Sequence, residues 1–230
     1  MDNIKVIAFD ADDTLWVNET YFREAEKQFA QLLSSYETEN KIDQELFKVE
    51  IQNLDLYGYG IKGFMLSMVE CALELSNYTL SPKIIEEILQ IGKDMLEKPI
   101  ELLNGVEEVL KALKGKYRLI VATKGDLLDQ ERKLEKSGLL QYFHHIEVMS
   151  DKKSEDYVKL VKHLDIEPKE FLMIGNSLKS DVLPVLEIGA EAIHVPFHTT
   201  WAHEEVSKQD AADSSFKTKE NLSETLTLLL

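Results

Sequence analysis

The chain has 230 residues, 44% of them hydrophobic, which is enough for a sizeable buried core. Its 26 Lys and Arg against 42 Asp and Glu give a formal net charge of −16, which repels nucleic acids and anionic membrane surfaces. With a single cysteine it forms no intramolecular disulfide, and no apolar run approaches the ~20 residues of a membrane helix. The first ten residues do not resemble a secretory signal. We therefore expect a globular cytoplasmic protein whose partners are neither nucleic acids nor membranes.

The first predicted element is the apolar, β-branched run 4–9, which is typical of a strand buried on both faces. Four similar runs follow it: 117–122, 146–149, 171–174 and 192–195. Apolar residues at helical spacing lie between these runs, as in Val106, Val109 and Leu113. Strands that alternate with short helices predict an α/β fold with a parallel sheet.

The stretch 17–97 interrupts this alternation. Three of its segments have apolar residues at helical spacing: 21–36, 64–75 and 84–95. Because no convincing strand pattern occurs there, we predict an all-helical cap at 17–97, inserted into a core formed by 1–16 and 98–230.

The glycine-rich segment around Tyr57, Tyr59 and Lys62 lies inside the predicted cap. One interpretation is a mobile loop that closes on a substrate and supplies the lysine or a stacking ring. The alternative is an ordinary connection between two helices.

Three acids, Asp10, Asp12 and Asp13, follow the first strand within four residues. In an open α/β sheet, ligands bind just beyond the carboxyl ends of the strands. Like charges this close are costly unless a cation or hydrogen bonds compensate them. Mg²⁺ prefers carboxylate and water oxygens, so the pattern favours a magnesium site, with an aspartate-rich turn or helix cap as the alternative.

The segment DADDTL resembles the first motif, D-x-D-x-T, of the haloacid dehalogenase-like (HAD) hydrolase superfamily. Three further motifs of that family have counterparts in the expected order: Thr123 at the end of the second core strand, Lys152 or Lys153 ahead of the next helix, and Gly175, Asn176, Ser177 and Asp181 after FLMI. The resemblance covers about 1–16 and 98–200. It implies a Rossmann-like core with strand order 5-4-1-2-3 and a C1-type helical cap.

The resemblance also implies a role for each matched residue. Asp10 is expected to attack phosphorus and form an aspartyl-phosphate, while Asp12 protonates the leaving alkoxide and then activates water. Thr123 is expected to donate its hydroxyl to the phosphoryl group, together with the backbone N–H groups of Ala11, Asp12 and Lys124.

Two neighbouring lysines compete for the third motif. We choose Lys153 over Lys152, because Lys153 directly precedes the start of the predicted helix, where the family lysine usually stands. It is expected to pair with both Asp10 and the phosphate.

The expected cofactor is Mg²⁺. The resemblance implies ligation by the Asp10 and Asp181 carboxylates and by the backbone carbonyl of Asp12. Asn176, which carries no charge, is expected to orient a water on the metal.

Asp12 also separates the activities within the family, since its dehalogenases lack this second aspartate. The sequence therefore favours a phosphatase of small phosphomonoesters, acting as a monomer or homodimer. A phosphomutase, a 2-haloacid dehalogenase and a non-catalytic binding protein remain alternatives. The loop with His198, His203 and Glu204 contains zinc-ligand types, but without an evident fourth ligand we expect a polar loop.

Overall fold

The computed structural model describes residues 1, 3–207 and 216–230. Their contacts divide the chain into two compact units. The first comprises Met1–Glu19, Ile100–Lys124 and Gln130–Leu230, and the second comprises Thr20–Pro99 and Gly125–Asp129. In sequence these ranges follow the expected core and cap, with 125–129 added to the second unit. That this unit acts as a cap stays a prediction.

The first unit contains a parallel sheet. Its strands are β1 (Val6–Phe9), β2 (Arg118–Lys124), β3 (His145–Met149), β4 (Phe171–Gly175), β5 (Glu191–His194) and β6 (Lys217–Thr218). Their order is β3-β2-β1-β4-β5-β6, and every described pair is parallel. The predicted α/β class and the order of the first five strands are confirmed. The two-residue β6 was not predicted.

Helices cover both faces of this sheet. They are α5 (Val106–Leu113), α6 (Leu127–Lys136), α7 (Ser154–His163), α8 (Leu183–Glu187) and α9 (Leu226–Leu229). Successive β1 side chains point to opposite faces. Ile7 packs in a cluster with Val109 of α5, whereas Ala8 packs in another with Tyr157 of α7. This two-sided burial explains why β1 is apolar at every position.

The second unit is built from helices. They are α1 (Glu19–Leu32), α2 (Glu39–Tyr57), α3 (Ile61–Leu75) and α4 (Pro82–Glu97), and no strand occurs in 20–99. Phe29, Ile42, Met68 and Ile88 form part of its own buried core. None of the helices described in the structure is long and apolar enough to cross a membrane.

Candidate active site

The parallel sheet brings three sequence motifs to one edge. Asp10 directly follows β1, Thr123 and Lys124 end β2, and Asn176 directly follows β4. Since β1 lies between β2 and β4, the carboxyl ends of the three strands are adjacent. The strand order reverses at β1, because β2 and β3 lie on one side of it and β4 and β5 on the other. Open α/β sheets form their ligand crevices at such a reversal.

A buried triad of charges lies at this edge. Lys152 Nζ is 2.6 Å from Asp10 Oδ1 and 2.7 Å from Asp181 Oδ1. The side chains of Lys152 and Asp181 are each only 1% exposed. Two carboxylates therefore share one ammonium group, which leaves one negative charge for a further cation or a proton to compensate.

This arrangement shifts the protonation equilibria of the triad. Burial raises the pKa of Asp10 to about 7 despite the opposing charge of Lys152, and the neighbouring charge of Asp181 adds to the rise. Burial would lower the pKa of Lys152, but the charges of Asp10 and Asp181 outweigh it and hold that pKa above its usual value. The lysine therefore stays protonated between the two acids.

The choice of Lys153 over Lys152 is wrong. The Lys153 side chain is 71% exposed and pairs with Asp151 at 2.9 Å. Lys153 has extended backbone angles immediately before α7. Consecutive side chains of extended backbone point in opposite directions, so only Lys152 faces the site.

The loop after β4 places Asp181 against the sheet. Its Oδ2 accepts a hydrogen bond of 3.0 Å from the backbone N–H of Ser177. A Cβ at position 175 would collide with the Asp181 carboxylate, which explains the glycine that ends β4. The G-N-S-x-x-x-D spacing is therefore a packing requirement as well as a chemical one.

The hydroxyl of Thr14 connects Asp10 with Asn176. Thr14 Oγ1 lies 3.1 Å from Asp10 Oδ2 and 3.2 Å from Asn176 Oδ1. Within the described ranges, no group of three or more His, Cys, Asp or Glu side chains is arranged to hold a metal ion. Asp10, Asp181 and Asn176 instead offer a few hard oxygen donors. Such a set fits Mg²⁺, which typically uses one or two carboxylates and keeps several waters.

Asp12 has a different set of partners. Trp16 Nε1 and Lys133 Nζ donate to its Oδ1 at 2.7 and 3.0 Å, and Gln130 Nε2 donates to its Oδ2 at 2.8 Å. Its side chain is 23% exposed. The second acid of the motif is therefore held in place by three donors, only one of which is charged.

Asp13, the third acid, has a structural role. Its carboxylate accepts hydrogen bonds from the backbone N–H groups of Asn18 (2.8 Å) and Glu19 (2.9 Å) at the start of α1. Burial raises its pKa to about 8, against the effect of these hydrogen bonds. The helix-cap interpretation of the acidic cluster therefore applies to this residue.

Gln130 on α6 was not anticipated from the sequence. Its Nε2 contacts Thr123 Oγ1 at 3.2 Å and donates to the Lys124 carbonyl at 2.7 Å, in addition to its bond with Asp12. Thr123 is 1% exposed. Gln130 therefore connects the end of β2 with the acidic motif. A polar residue in an amphipathic helix gives no sequence signal that it is buried.

Glu204, which was expected in a polar loop, has a side chain only 13% exposed. Its Oε1 lies 2.5 Å from Lys124 Nζ, and its Oε2 accepts from Ser177 Oγ at 2.5 Å and Ser180 Oγ at 2.6 Å. Burial would raise the pKa of Glu204, but the charge of Lys124 and these hydrogen bonds bring it down to about 2. Glu204 therefore joins the end of β2 to the loop after β4.

The predicted substrate residues of the cap lie in the second unit. Tyr57 Oη donates to Glu70 Oε1 at 2.6 Å, and Lys62 Nζ donates to Asp126 Oδ1 at 2.8 Å. Tyr59 lies in the short connection between α2 and α3. Their part in substrate binding stays a prediction.

The fold and its strand-end acids define a Rossmann-like α/β protein with a polar site at the carboxyl edge of its sheet. A family model of haloacid dehalogenase-like hydrolases matches residues 4–189. The chain belongs to this family, as its four motifs predicted. No curated protein matches the chain.

Solved structures agree with this assignment. A haloacid dehalogenase-like family hydrolase from Xanthomonas campestris is 40% identical, with a TM-score of 0.81 over 91% of this chain and 88% of that one. The magnesium-bound HAD-hydrolase YfnB from Bacillus subtilis is 17% identical, with a TM-score of 0.67 over 99% of both chains. A 2-haloacid dehalogenase from Pseudomonas syringae is 18% identical, with a TM-score of 0.63 over 98% of both. The last two show a shared fold only, so the reaction must be argued from the site.

Proposed function

We propose that this protein is a magnesium-dependent phosphatase that hydrolyses small phosphomonoesters through an aspartyl-phosphate on Asp10. The observation that carries the proposal is the buried triad of Asp10, Lys152 and Asp181 beside a second, separately held aspartate, Asp12. Asp10 is thus buried beside the Lys152 ammonium, while Asp12 pairs with Lys133 and keeps partial access to solvent.

These residues supply the nucleophile and the proton carrier for both steps of the reaction. Asp10 attacks phosphorus, the ester P–O bond breaks, and the leaving oxygen takes a proton from the Asp12 carboxyl group. Water then attacks the aspartyl-phosphate, gives a proton to Asp12, and releases Asp10 and inorganic phosphate. Thr123 and Lys152 contribute a hydroxyl donor and a positive charge for the phosphoryl oxygens.

Magnesium would be held by the carboxylates of Asp10 and Asp181 and the carbonyl of Asp12, with Asn176 beside them. When bound, the ion supplies positive charge that offsets the repulsion between an anionic nucleophile and an anionic ester. The single uncompensated negative charge of the triad supports this assignment, and the Bacillus subtilis relative binds magnesium.

Asp12 favours phosphoryl transfer over dehalogenation. A halide leaves without a proton, whereas an alkoxide requires one, so a dehalogenase has no use for a carboxyl group held in this place. A phosphomutase of the same fold would also use Asp12. It is the second candidate, and dependence of turnover on a sugar bisphosphate would reveal it.

The substrate class and the cellular location are part of the same proposal. A net charge of −16 disfavours polyanionic macromolecules and supports small esters. Cys71 is buried, and burial raises its pKa to about 12, which disfavours the reactive thiolate form. A lone buried cysteine is compatible with the reducing cytoplasm.

The proposal is tested by measuring phosphate release from a panel of sugar phosphates, nucleotides and phosphorylated acids, with Mg²⁺ and with EDTA. A parallel assay measures halide release from 2-haloacids. We expect phosphate release that EDTA abolishes and no halide. Halide release without metal would assign the protein to the dehalogenases instead.

A further inference from the structure

The two oxygens of the Asp12 carboxylate are not equivalent. Trp16 Nε1 and Lys133 Nζ both donate to Oδ1, whereas only Gln130 Nε2 donates to Oδ2 among the residues that the structure describes. A carboxylate offers about four lone-pair positions, two on each oxygen. Oδ1 therefore has both positions filled, and Oδ2 keeps one position for a proton or a ligand.

The donors to Asp12 are themselves held in place. Lys133 Nζ also donates to Asn18 Oδ1 at 2.9 Å, and the Lys133 side chain is 13% exposed. One ammonium group thus joins Asp12 to the residue that precedes α1. Holding a flexible lysine by two acceptors reduces the freedom of the carboxylate that it binds.

The amide of Gln130 has one allowed orientation. Its Nε2 faces the Asp12 carboxylate, the Thr123 hydroxyl and the Lys124 carbonyl. The carbonyl can only accept, and the same holds for Asp12 while it is ionised. Its Oε1 is buried without a hydrogen-bond partner among the described residues. Turning the amide over would place this oxygen against two acceptors, so Nε2 must point at Asp12.

We propose that Lys133 and Gln130, three positions apart on α6, are positioning residues that fix the Asp12 carboxylate so that Oδ2 carries the transferred proton. This inference rests on the proposed phosphatase function. The Oδ2 proton passes to the leaving oxygen as the ester P–O bond breaks and the bond from Asp10 to phosphorus forms. In the second step Oδ2 accepts a proton from water as the oxygen of that water bonds to phosphorus and Asp10 is released.

The assignment predicts a dependence on the leaving group. An alkoxide needs the proton from Asp12, whereas para-nitrophenolate is stable as an anion and needs it little. In Lys133→Met we expect kcat/KM for glycerol 2-phosphate to fall about 30-fold, within the range of general acid–base catalysis. We expect kcat/KM for para-nitrophenyl phosphate to change less than about 3-fold, because this ratio reports only the steps up to the aspartyl-phosphate and leaves out the water step that both esters share.

Two further variants serve as controls. Lys133→Arg keeps the charge and the donors and should recover most of the glycerol 2-phosphate activity. Lys136→Met removes an exposed lysine from the same helix and should match the wild type with both esters. An equal loss of kcat/KM with the two esters, or no loss in Lys133→Met, overturns the proposal.

A readout that needs no turnover separates this inference from the proposed function. The indole N–H of Trp16 donates to the same oxygen as Lys133, and the chain has only two tryptophans. In ¹H–¹⁵N spectra, with Trp201→Phe used for assignment, we expect the Trp16 indole signal to shift in Lys133→Met and to stay unchanged in Lys136→Met. An unchanged signal in Lys133→Met overturns the positioning role. If the wild type releases phosphate neither from these two esters nor from the panel described above, the proposed function fails, and the indole signal still decides whether Lys133 positions Asp12.

Discussion

Asp10 and Asp12 are separated by one residue and have contrasting surroundings. Asp10 shares the buried ammonium of Lys152 with a second acid, and its side chain is 10% exposed. Asp12 is 23% exposed and accepts hydrogen bonds from one lysine, one amide and one indole. Asp10 is thus enclosed beside a shared cation, whereas Asp12 is held by three donors and keeps more access to solvent. The same residue type is thus prepared for two tasks by its neighbours.

The sharpest test of this contrast removes the nucleophile. Asp10→Asn keeps the shape of the side chain but removes the charged oxygen that attacks phosphorus, so we expect phosphate release to fall by about 10³-fold or more. Mass spectrometry of the wild type, quenched during turnover, should show a phosphate adduct on Asp10 that the variant lacks. Wild-type activity in Asp10→Asn would exclude the covalent mechanism.

Lys152 and Lys153 form a matched pair for the next test. Lys152→Met leaves two buried carboxylates without their cation, so we expect the free energy of unfolding to drop by about 3–5 kcal/mol. We expect kcat to fall about 100-fold, because the phosphoryl oxygens also lose this charge.

Lys153→Met removes an exposed charge and its surface ion pair with Asp151. It should change stability by no more than about 0.5 kcal/mol. Urea denaturation and phosphate release measure both variants. Equal effects of the two substitutions would contradict the buried position of Lys152.

A structural feature can be predicted from the sequence to the extent that it depends on neighbouring residues. Five strands were predicted correctly, because a buried parallel strand is apolar on both faces and can be recognised from a few residues. The carboxyl ends of these strands then gave the positions of Asp10 and Thr123. Whether Lys152 or Lys153 faces the site is decided by the backbone dihedral angles just before α7. The sequence gives no signal for these angles.

The contacts that were missed are all non-local. Gln130 reaches Asp12 across 118 positions of sequence, and Glu204 reaches Lys124 across 80. Nothing in a polar loop or on a mixed helix face indicates which polar side chain will be buried. The two-residue strand β6 (Lys217–Thr218) is likewise too short and too polar to give a periodic signal.

The smallest expected effect concerns Glu204, whose folded-state pKa of about 2 lies below its usual 4.5. A lowered pKa means that the ionised group stabilises the fold above pH 4.5, and that this contribution is lost as the pH falls towards 2. Glu204→Gln should therefore lower the free energy of unfolding by about 1–3 kcal/mol at pH 7, and the difference from the wild type should shrink in that acidic window. Glu205→Gln, at the exposed neighbouring position, is the matched control and should change stability by no more than about 0.5 kcal/mol. Chemical denaturation across pH measures both. A deficit in Glu204→Gln that stays constant down to pH 2 would show that the charge of Glu204 is not what joins β2 to the loop after β4.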